Sequence, residues 1–303
     1  MKKILIFSSL KKGRSILGLS INSWLNLKEN DDFLFDILLH DDKFDKESSN
    51  FIANELSTDK RIKIIDFNFD LKNDYQGDHH WNITQIDRIS HIKNRAIEYS
   101  LKNNYDYLFL VDADLVLNPN TLSHLVSLKK HFVFEVFWTL FFNESFHKPN
   151  AWDYHSWAYY NEETIIKLSK KGTYEVGGGG ACTLLSKEIL KKGLNFNRLE
   201  SLNFNGEDRH FCTRSQALGY PVYVDTHYPA YHIFENYQIE EAKNWYLNGA
   251  NQSYFYNWLT DSWRDKVINA YKKETSFFSK LKKFQYEVRR SIVKSYKSHF
   301  KST

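Results

Sequence analysis

The sequence predicts an α/β fold in which a mostly parallel central sheet is flanked by helices. Short apolar runs alternate with longer segments of helical periodicity through the N-terminal half of the chain. The run Tyr107–Val111 has five consecutive apolar residues, which is typical of a strand buried on both faces. Strands that alternate with helices are joined by right-handed crossovers, and such connections produce parallel sheets.

The same periodicities assign the elements in chain order. Strands are predicted at Lys3–Phe7, Phe35–Leu39, Ile62–Ile65 and Tyr107–Val111, and helices at Ile16–Leu27, Ser48–Leu56 and Ile86–Asn103. Residues 68–82 are polar and predict a long loop. The glycines 177–180 lead into a further strand, after which Ser186 is a helix cap. A helix then starts at Glu207 and ends at Gly219, and the chain returns as a strand.

Length and composition predict the domain organisation and the compartment. A chain of 303 residues can bury a full core, and we expect a main domain at residues 1–235 with a C-terminal helical extension at 236–303. Two cysteines are too few for a disulfide framework and favour a reducing compartment. The N-terminal apolar run is too short for a signal peptide, and no stretch has the roughly 18 apolar residues of a membrane-spanning helix. We therefore expect a soluble, cytoplasmic protein.

The C-terminal extension ends in a strongly basic segment. Residues 276–303 carry a net charge of +7, while the whole chain carries +4. Apolar residues recur there at three- and four-residue steps, which predicts an amphipathic helix. Such a helix can lie on an anionic membrane, which would make the protein peripheral at the inner membrane face. The alternatives are a helix packed on its own domain with a solvated basic face and, least favoured, nucleic-acid contact.

Two acidic residues, Asp112 and Asp114, follow the strand Tyr107–Val111. If the strand continues through them, their side chains point to the same face, because strand side chains alternate. Apolar residues follow, so the pair lies within a buried stretch where a divalent cation would compensate the two charges. A solvated strand-to-loop turn is the alternative. Ligands of such sheets bind at the carboxyl ends of strands, where Asp41 and Asp42 also fall.

Three further features stand downstream. The glycines 177–180 allow close approach of the backbone to a ligand or another element, with a structural turn as the alternative, and they lack the Gly-Lys-Ser/Thr ending of a nucleotide P-loop. Glu207 and Asp208 open a helix, where carboxylates interact favourably with the helix dipole, and capping is their alternative role. His232, unless it is a structural histidine, completes with two carboxylates a ligand set suited to Mn²⁺ or Mg²⁺.

Five segments in this order resemble the GT-A-fold nucleotide-sugar glycosyltransferases, in particular the DxD-containing family 2 type. The matching segments are Ile37–Asp42, Lys93–Ala96 with Asp106–Asp114, the glycine run with Leu184–Glu188, Gly206–Asp208, and Asp225–His232. They span residues 3–235 and imply a GT-A, Rossmann-like fold. Two departures are the first loop, Ser8–Arg14, which lacks the usual Pro-x-Tyr-Asn opening, and the loop 68–82, which has no counterpart.

The resemblance implies metal-dependent transfer of a sugar from a nucleotide-diphosphate donor, with a UDP-sugar favoured, to an acceptor hydroxyl. Asp112, Asp114 and His232 would hold Mn²⁺ or Mg²⁺, and Asp112 would also face the donor. Asp208, or Glu207 as second choice, would be the general base of an inverting transfer. A retaining mechanism stays open, since an acid at position 208 could orient the substrate without acting as the base.

Donor recognition is assigned, on the same resemblance, to four residues. Asp41 or Asp42 would contact the uridine or guanosine of the donor. Arg88 or Lys93 would reach the diphosphate, with a solvated helix face as the preferred alternative for each.

Acceptor binding is assigned to an aromatic segment and to the glycine run. Residues 151–160 include Trp152 and Trp157. Such side chains stack on the apolar faces of sugar rings or cover a lipid, and they equally pack a core. We expect these two tryptophans, with Gly178 and Gly179, to bind the acceptor. The acceptor class is open among glycans, lipid-linked carriers and protein side chains.

Two other functions stay open beside glycosyl transfer. A nucleotidyl- or pyrophosphoryl-transferring enzyme would use the same metal pair, but the sequence lacks an N-terminal Gly-rich, Lys-containing nucleotide loop. A non-catalytic sugar-nucleotide-binding protein would have no reason to keep Asp112, Asp114, Asp208 and His232 together. Glycosyl transfer is therefore the preferred function.

Overall fold

The structure, a computed structural model, describes residues 1–29, 32–67, 82–139, 147–153, 167–202 and 206–251, together with residues 164, 265, 269, 272, 281 and 284. The chain divides into two compact units, Met1–Tyr256 and Asn257–Thr303. The predicted domain boundary at residue 235 stays a prediction, and nearly all of the basic segment 276–303 lies outside the described residues. In the described ranges, no helix has the length and apolar composition needed to cross a bilayer.

Strands and helices alternate through the first unit. The strands are β1 (Lys2–Leu10), β2 (Phe33–Asp41), β3 (Ile62–Ile65), β4 (Tyr107–Val111), β5 (Leu115–Val116), β6 (Phe132–Thr139), β7 (Lys148–Pro149), β8 (Ala151–Trp152), β9 (Thr173–Val176), β10 (Gly178–Gly179), β11 (Cys182–Ser186) and β12 (Val222–His232). The helices are α1 (Arg14–Leu25), α2 (Lys46–Asn54), α3 (Ile83–Lys102), α4 (Thr121–Ser127), α5 (Lys187–Lys191), α6 (Glu207–Ala217) and α7 (Ile239–Leu247). Short 3₁₀ turns lie at Leu56–Thr58 and Asn236–Gln238.

Ten of the described strands form one sheet. Its order is β3-β2-β1-β4-β11-β6-β12-β5, with β7 on β6 and β9 on β12. The neighbours β3, β2, β1 and β4 are parallel, and so are β6 and β12, while β11 joins the two groups by antiparallel pairing. The predicted architecture, a mostly parallel central sheet flanked by helices, is confirmed, and it is the one that the GT-A resemblance implies.

The central strands are buried on both faces. Residues 4–6 of β1 are fully buried, and every residue of β6 is buried. Helix α1 packs on the sheet through Trp24, which is fully buried and whose Nε1 donates a hydrogen bond to the carbonyl of Leu115 at 2.9 Å. This contact fixes α1 to the segment that directly follows the acidic pair.

The strand order brings distant loops to one edge of the sheet. Because β1 and β4 are parallel neighbours, in the register Phe7 with Leu110, their carboxyl ends meet. Strand β12 runs antiparallel to β5, and His232 is the partner of Leu115. The N–H of Ile233 donates to the carbonyl of Asp114 at 2.9 Å. The end of β12 is therefore held beside the turn that follows β4.

Candidate active site

A cavity of about 190 Å³ lies at the edge where β1 and β4 end. It is lined by the loop between β1 and α1, by α3, by the turn after β4 and by the first residue of α6. The charged lining residues are Lys11, Lys12, Lys93, Asp112, Asp114 and Glu207. This is the place where ligands of parallel α/β sheets bind, and we refer to it as the cleft.

Asp112 and Asp114 lie in a tight turn between β4 and β5 rather than on a continuing strand. The N–H of Leu115 donates to the carbonyl of Asp112 at 3.2 Å, and the N–H of Asp112 donates to the carbonyl of Ala181 at 3.0 Å. The prediction that both side chains share one strand face is wrong, since Asp112 is exposed while Asp114 is buried. The turn is therefore not uniformly solvated, since Asp114 is buried. The surroundings of Asp112 raise its pKa to about 7, chiefly through burial of the carboxyl group and the nearby Asp114 and Asp208, although Lys93 lowers it.

Asp114 lies between two basic side chains. Its Oδ2 is 3.1 Å from Nζ of Lys12 and 3.5 Å from Nε2 of His232. Burial by itself raises the pKa of the Asp114 carboxyl, but His232 and Lys12 more than offset this and hold the pKa below its ordinary value. Asp114 is therefore a buried anion at neutral pH.

His232 is oriented by a threonine of the neighbouring strand. Its Nδ1 is 2.8 Å from Oγ1 of Thr139, which leaves Nε2 on the side of Asp114. A histidine that binds a metal commonly uses one ring nitrogen while the other is hydrogen-bonded, so this arrangement fits a ligand. Two ligand atoms bonded to one ion at about 2.1 Å lie roughly 3–3.5 Å apart, which matches the spacing of the Asp114 oxygen and the His232 nitrogen.

The predicted three-ligand set is only partly assembled. Among the described residues, one group of three His, Cys, Asp or Glu side chains has its ligand atoms within 4.8 Å of one another, and it does not include Asp112, Asp114 or His232. Asp114 and His232 are at ligand spacing, whereas Asp112 stands too far from at least one of them. The carboxylate and the imidazole together fit a divalent cation such as Mn²⁺, and Asp112 would have to move to join them.

Lys11 and Lys12 are residues of the cleft that the motifs do not identify. Both lie in the loop between β1 and α1, where Lys12 pairs with Asp114 and Nζ of Lys11 is 3.8 Å from Oδ2 of Asp42. The first loop thus brings two lysines to the cleft, and it is still not a Gly-rich, Lys-containing nucleotide loop. The position of the two lysines in the sequence could have identified them, because their loop follows the carboxyl end of the first strand of a parallel sheet, where ligands bind.

Glu207 and Asp208 lie in the first turn of α6, as predicted, but in different environments. The side chain of Glu207 is 4% exposed and accepts a hydrogen bond from Nζ of Lys93 at 2.6 Å. The side chain of Asp208 is 32% exposed, and its Oδ1 is 3.4 Å from the same Nζ. Burial raises the pKa of Asp208 and Lys93 lowers it, while Glu207 raises it further, to about 6. Lys93 itself is buried, so the solvated helix face preferred for it is wrong.

The glycine run packs closely against other elements of the chain. A Cβ at Gly178 would lie 2.3 Å from Cζ2 of Trp152, and one at Gly180 would lie 2.2 Å from Oδ2 of Asp208. The predicted close approach of the backbone is therefore present, and what it approaches is protein. Gly180 in particular leaves the space that the Asp208 carboxylate occupies.

The acids at the end of β2 are paired with basic side chains. The guanidinium of Arg88 donates to both carboxylate oxygens of Asp42, with Nη1 2.7 Å from Oδ2. Asp41 accepts from the N–H of Lys43 at 2.9 Å and from its Nζ at 3.1 Å. Arg88 is buried, so the solvated helix face preferred for it is wrong as well. Contact of Asp41 or Asp42 with a nucleoside stays a prediction.

Of the predicted acceptor tryptophans, the structure describes Trp152 alone, and Trp157 lies outside the described residues, as does most of the loop 68–82. Trp152 is buried in β8, opposite Gly178 of β10, and the guanidinium carbon of Arg209 is 5.1 Å from its ring centroid. Burial of this kind is what the core-packing alternative implies. Acceptor contact by Trp152, Gly178 and Gly179 stays a prediction.

Comparison with known proteins finds distant structural likenesses. No protein-family model matches the chain, and no curated protein sequence matches it. It is similar to the mannosyltransferase PcManGT from Pyrobaculum calidifontis in complex with GDP-Man and Mn²⁺, with 10% identity, a TM-score of 0.46, and coverage of 77% of this chain and 57% of that one. For GalNAc-T7 with UDP, GalNAc and Mn²⁺ the identity is 13%, the TM-score 0.48, and the coverage 76% and 43%. For S. aureus TarS 1-349 in complex with UDP-GlcNAc the identity is 13% and the TM-score 0.45, with coverage of 80% of this chain and 61% of that one. The chain thus spans 43–61% of the length of these three structures.

Proposed function

We propose that this chain is a metal-dependent glycosyltransferase that moves a sugar from a nucleotide-diphosphate donor to an acceptor hydroxyl with inversion at the anomeric carbon. The observation that carries the proposal is that two groups from separate elements contact the lining of the cleft. His232, at the end of β12, is 3.5 Å from Asp114, which lines the cleft after β4. Asp208, at the start of α6, is 3.4 Å from Lys93, which lines the cleft from α3. Asp114 and His232 suit a divalent cation, and Asp208 suits removal of a proton.

Asp114 and His232, joined by Asp112, would hold Mn²⁺ or Mg²⁺. Such an ion, when bound, offsets the negative charge that develops on the departing nucleoside diphosphate. Lys12, 3.1 Å from Asp114 at the same edge, is positioned to bind a phosphate oxygen of the donor. The cleft therefore offers positive charge to a diphosphate from a side chain of its own.

Asp208 would accept the proton of the acceptor hydroxyl while the acceptor oxygen bonds to the anomeric carbon and the bond from that carbon to the diphosphate breaks. It is the more exposed of the two acids on α6, and a pKa of about 6 keeps it deprotonated at neutral pH. Glu207 is held by Lys93 and would position that lysine instead. In a retaining transfer Asp208 would only orient the substrate, and the product would have the opposite anomeric configuration.

The partners of the reaction follow from the same cleft. A UDP-sugar is favoured over a GDP-sugar as donor, with Asp41 or Asp42 at the nucleoside. The acceptor is a glycan, a lipid-linked carrier or a protein, bound near Trp152, Trp157, Gly178 and Gly179. The basic segment 276–303 would bring the enzyme to an anionic membrane, which favours a membrane-proximal acceptor.

Isothermal titration with UDP and GDP, each with and without Mn²⁺, tests the donor site. We expect Mn²⁺-dependent binding of one nucleotide and its loss in Asp114→Ala. The matched control is Asp87→Ala, which removes an α3 carboxylate that pairs with Nε of Arg198 at 3.2 Å and does not line the cleft. Metal-independent binding of both nucleotides, or unchanged binding by Asp114→Ala, would remove this assignment of the acidic pair.

Nucleotidyl transfer is kept as the second candidate because Lys11 and Lys12 of the first loop line the cleft and could face phosphates, although this loop is not Gly-rich. The two reactions release different products. Sugar transfer releases a nucleoside diphosphate, whereas nucleotidyl transfer from a nucleoside triphosphate releases pyrophosphate. Incubation of the enzyme with each donor class, followed by separation of the released phosphates, decides between them.

A further inference from the structure

A second group of metal-ligand side chains lies away from the cleft, at His124 of α4 and Asp225 and His227 of β12. Their ligand atoms all lie within 4.8 Å of one another. Nε2 of His124 is 3.2 Å from Oδ1 of Asp225, and Nδ1 of His227 is 3.1 Å from the same oxygen. His227 precedes His232 by five residues, so along β12 the two groups are separated by roughly 15 Å. They are therefore distinct sites.

Two of the three spacings among these atoms match one tetrahedral ion. Ligands bonded to zinc at about 2.0–2.2 Å in tetrahedral geometry are about 3.4 Å from one another. The two separations at Asp225 Oδ1 are close to this value. Nε2 of His124 also lacks a hydrogen bond within the described structure, although it is buried and near that oxygen.

A second buried carboxylate lies beside Asp225. Asp225 and Glu135 are register partners on the parallel strands β12 and β6, and both are fully buried. Oε2 of Glu135 has no hydrogen-bond partner among the described residues, and no described lysine or arginine forms an ion pair with either carboxylate. Burial and the neighbouring Asp225 raise the pKa of Glu135 well above its ordinary value, so Glu135 is neutral and Asp225 is the one buried anion of the pair. The two histidines face this anion.

The carboxylate of Asp225 is already oriented as a metal ligand would be. Oγ1 of Thr173 donates to Oδ2 at 2.7 Å, and the N–H of His227 donates to Oδ1 at 2.9 Å. Hydrogen bonds of this kind hold a ligating carboxylate in place. The side chains of His124 and His227 are 22% and 34% exposed, so the group opens to solvent on their side.

We propose that His124, Asp225 and His227 bind a zinc ion through Nε2, Oδ1 and Nδ1, with the fourth position open to solvent. Two imidazoles and one carboxylate are a ligand set that zinc accepts, whereas Mg²⁺ prefers oxygen ligands. The site joins α4, which follows the acidic turn, to β12, which ends at His232. The zinc would therefore link the segment that follows Asp114 to the strand that carries His232, with a solvent molecule as its fourth ligand.

Zinc titration of the metal-free full chain tests the proposal. We expect one tightly bound zinc per chain, and an affinity at least about 100-fold lower in the double variant His124→Asn, His227→Asn. His131→Asn is the matched control, since its ring lies near Glu188 on another surface, and it should bind zinc as wild type does. Asp114→Ala, which disables the proposed donor site, should also keep this zinc, so failure of the donor assignment leaves the result unaffected.

A spectroscopic measurement covers the case in which the double variant does not fold. Cobalt(II) added to the wild-type chain should give the intense visible absorption of a tetrahedral complex, and zinc should displace it. Absence of that spectrum, or a zinc affinity that the histidine substitutions leave unchanged, overturns the proposal. The group would then be a proton-sharing histidine–carboxylate cluster without metal.

Discussion

At the scale of single residues, the first turn of α6 places two neighbouring acids in unlike surroundings. Glu207 is buried and hydrogen-bonded to Lys93, while Asp208 is a third exposed beside the cleft. A base must reach the acceptor hydroxyl, and a buried, paired carboxylate cannot do so without breaking its ion pair. The environments therefore favour Asp208 over Glu207 as the base of the proposed reaction, with Glu207 in a positioning role.

Replacement Asp208→Asn should lower the transfer rate by about 10²–10⁴-fold, because the general base is lost, and should leave Mn²⁺-dependent nucleotide binding unchanged. In the wild type, kcat/KM should fall as the pH decreases through about 6, since the raised pKa of Asp208 marks where the base becomes protonated. Initial rates across a pH series, with titration of the variant, check both statements.

Glu207→Gln is the contrasting variant. It leaves the buried ammonium of Lys93 with Asp208 as its remaining carboxylate partner, which should lower the free energy of unfolding by about 2–3 kcal/mol. Denaturant unfolding measures this change. If Glu207→Gln reduced turnover more than Asp208→Asn without loss of stability, the roles of the two acids would be reversed.

Gly180→Ala tests whether the glycine run positions the base. The new Cβ would lie 2.2 Å from Oδ2 of Asp208, so the carboxylate must move. A displacement of about 1 Å can cost roughly 100-fold in rate, and we expect a loss of that size in kcat with nucleotide binding retained. The control is Gly18→Ala in α1, where the nearest side-chain atom to the new Cβ, Cζ of Phe51, is 4.0 Å away. Unchanged turnover in Gly180→Ala would mean that the position of Asp208 is not limiting.

At the scale of elements, β12 connects the two candidate metal sites. It pairs with β6, β9 and β5, and its register shifts between Asp225 and Ala230. Asp225 and His227 lie before or within this irregularity and His232 lies after it. The pairing with β6 also supplies Thr139, the partner of His232.

Thr139→Val should weaken Mn²⁺ binding at the cleft by about 10–100-fold, because the hydrogen bond that orients His232 is lost while the side-chain shape is kept. Titration of Mn²⁺ in the presence of UDP measures the effect. The control is Thr213→Val in α6, whose hydroxyl donates to the carbonyl of Arg209 at 2.8 Å. Equal affinities in the two variants would show that His232 is not oriented by Thr139 or is not a ligand.

Helix α3 shows why an element's pattern does not reveal its polar contacts. Its apolar periodicity predicts the helix correctly. Arg88 and Lys93 are not part of the apolar face, so the pattern does not predict that they are buried. Both are long enough to bury their stems and reach acids of other elements, Asp42 after β2 and Glu207 in α6. These partners are 46 and 114 residues away in sequence, so local spacing could not identify them.

At the scale of the whole molecule, the donor site belongs to the first compact unit and the basic segment to the second. Deletion of residues 276–303 should leave Mn²⁺-dependent nucleotide binding unchanged and should reduce binding to vesicles that contain phosphatidylserine. Each lysine or arginine near an anionic surface contributes about 1 kcal/mol. Vesicle co-sedimentation and nucleotide titration measure the two activities separately.

The matched control for the deletion keeps the chain length and changes charge alone. Lys280→Gln, Lys282→Gln and Lys283→Gln together should weaken binding to anionic vesicles and have no effect with neutral ones. Undiminished vesicle binding after the deletion would contradict a membrane role for this segment.

The sequence by itself determined the kind of fold and the kinds of chemical group at its site. Alternating periodicities identify the strands and helices, and they imply that Asp112, Asp114 and the end of β2 meet at one sheet edge. The strands and helices follow from local sequence patterns, and the shared sheet edge follows from general rules for how parallel strands are connected. The tertiary structure alone decided that Asp114 is buried while Asp112 is exposed, because the chain turns between them.

Only the tertiary structure also decided the partners across long sequence separations. Lys12 beside Asp114, Gly180 beside Asp208, and His124 beside Asp225 depend on which strands are neighbours and in which register. A sequence specifies such contacts only through the packing of the whole core. Each contact contributes little to the free energy of folding compared with the burial of many apolar side chains. Local patterns therefore predict the groups, and global packing selects which of them meet.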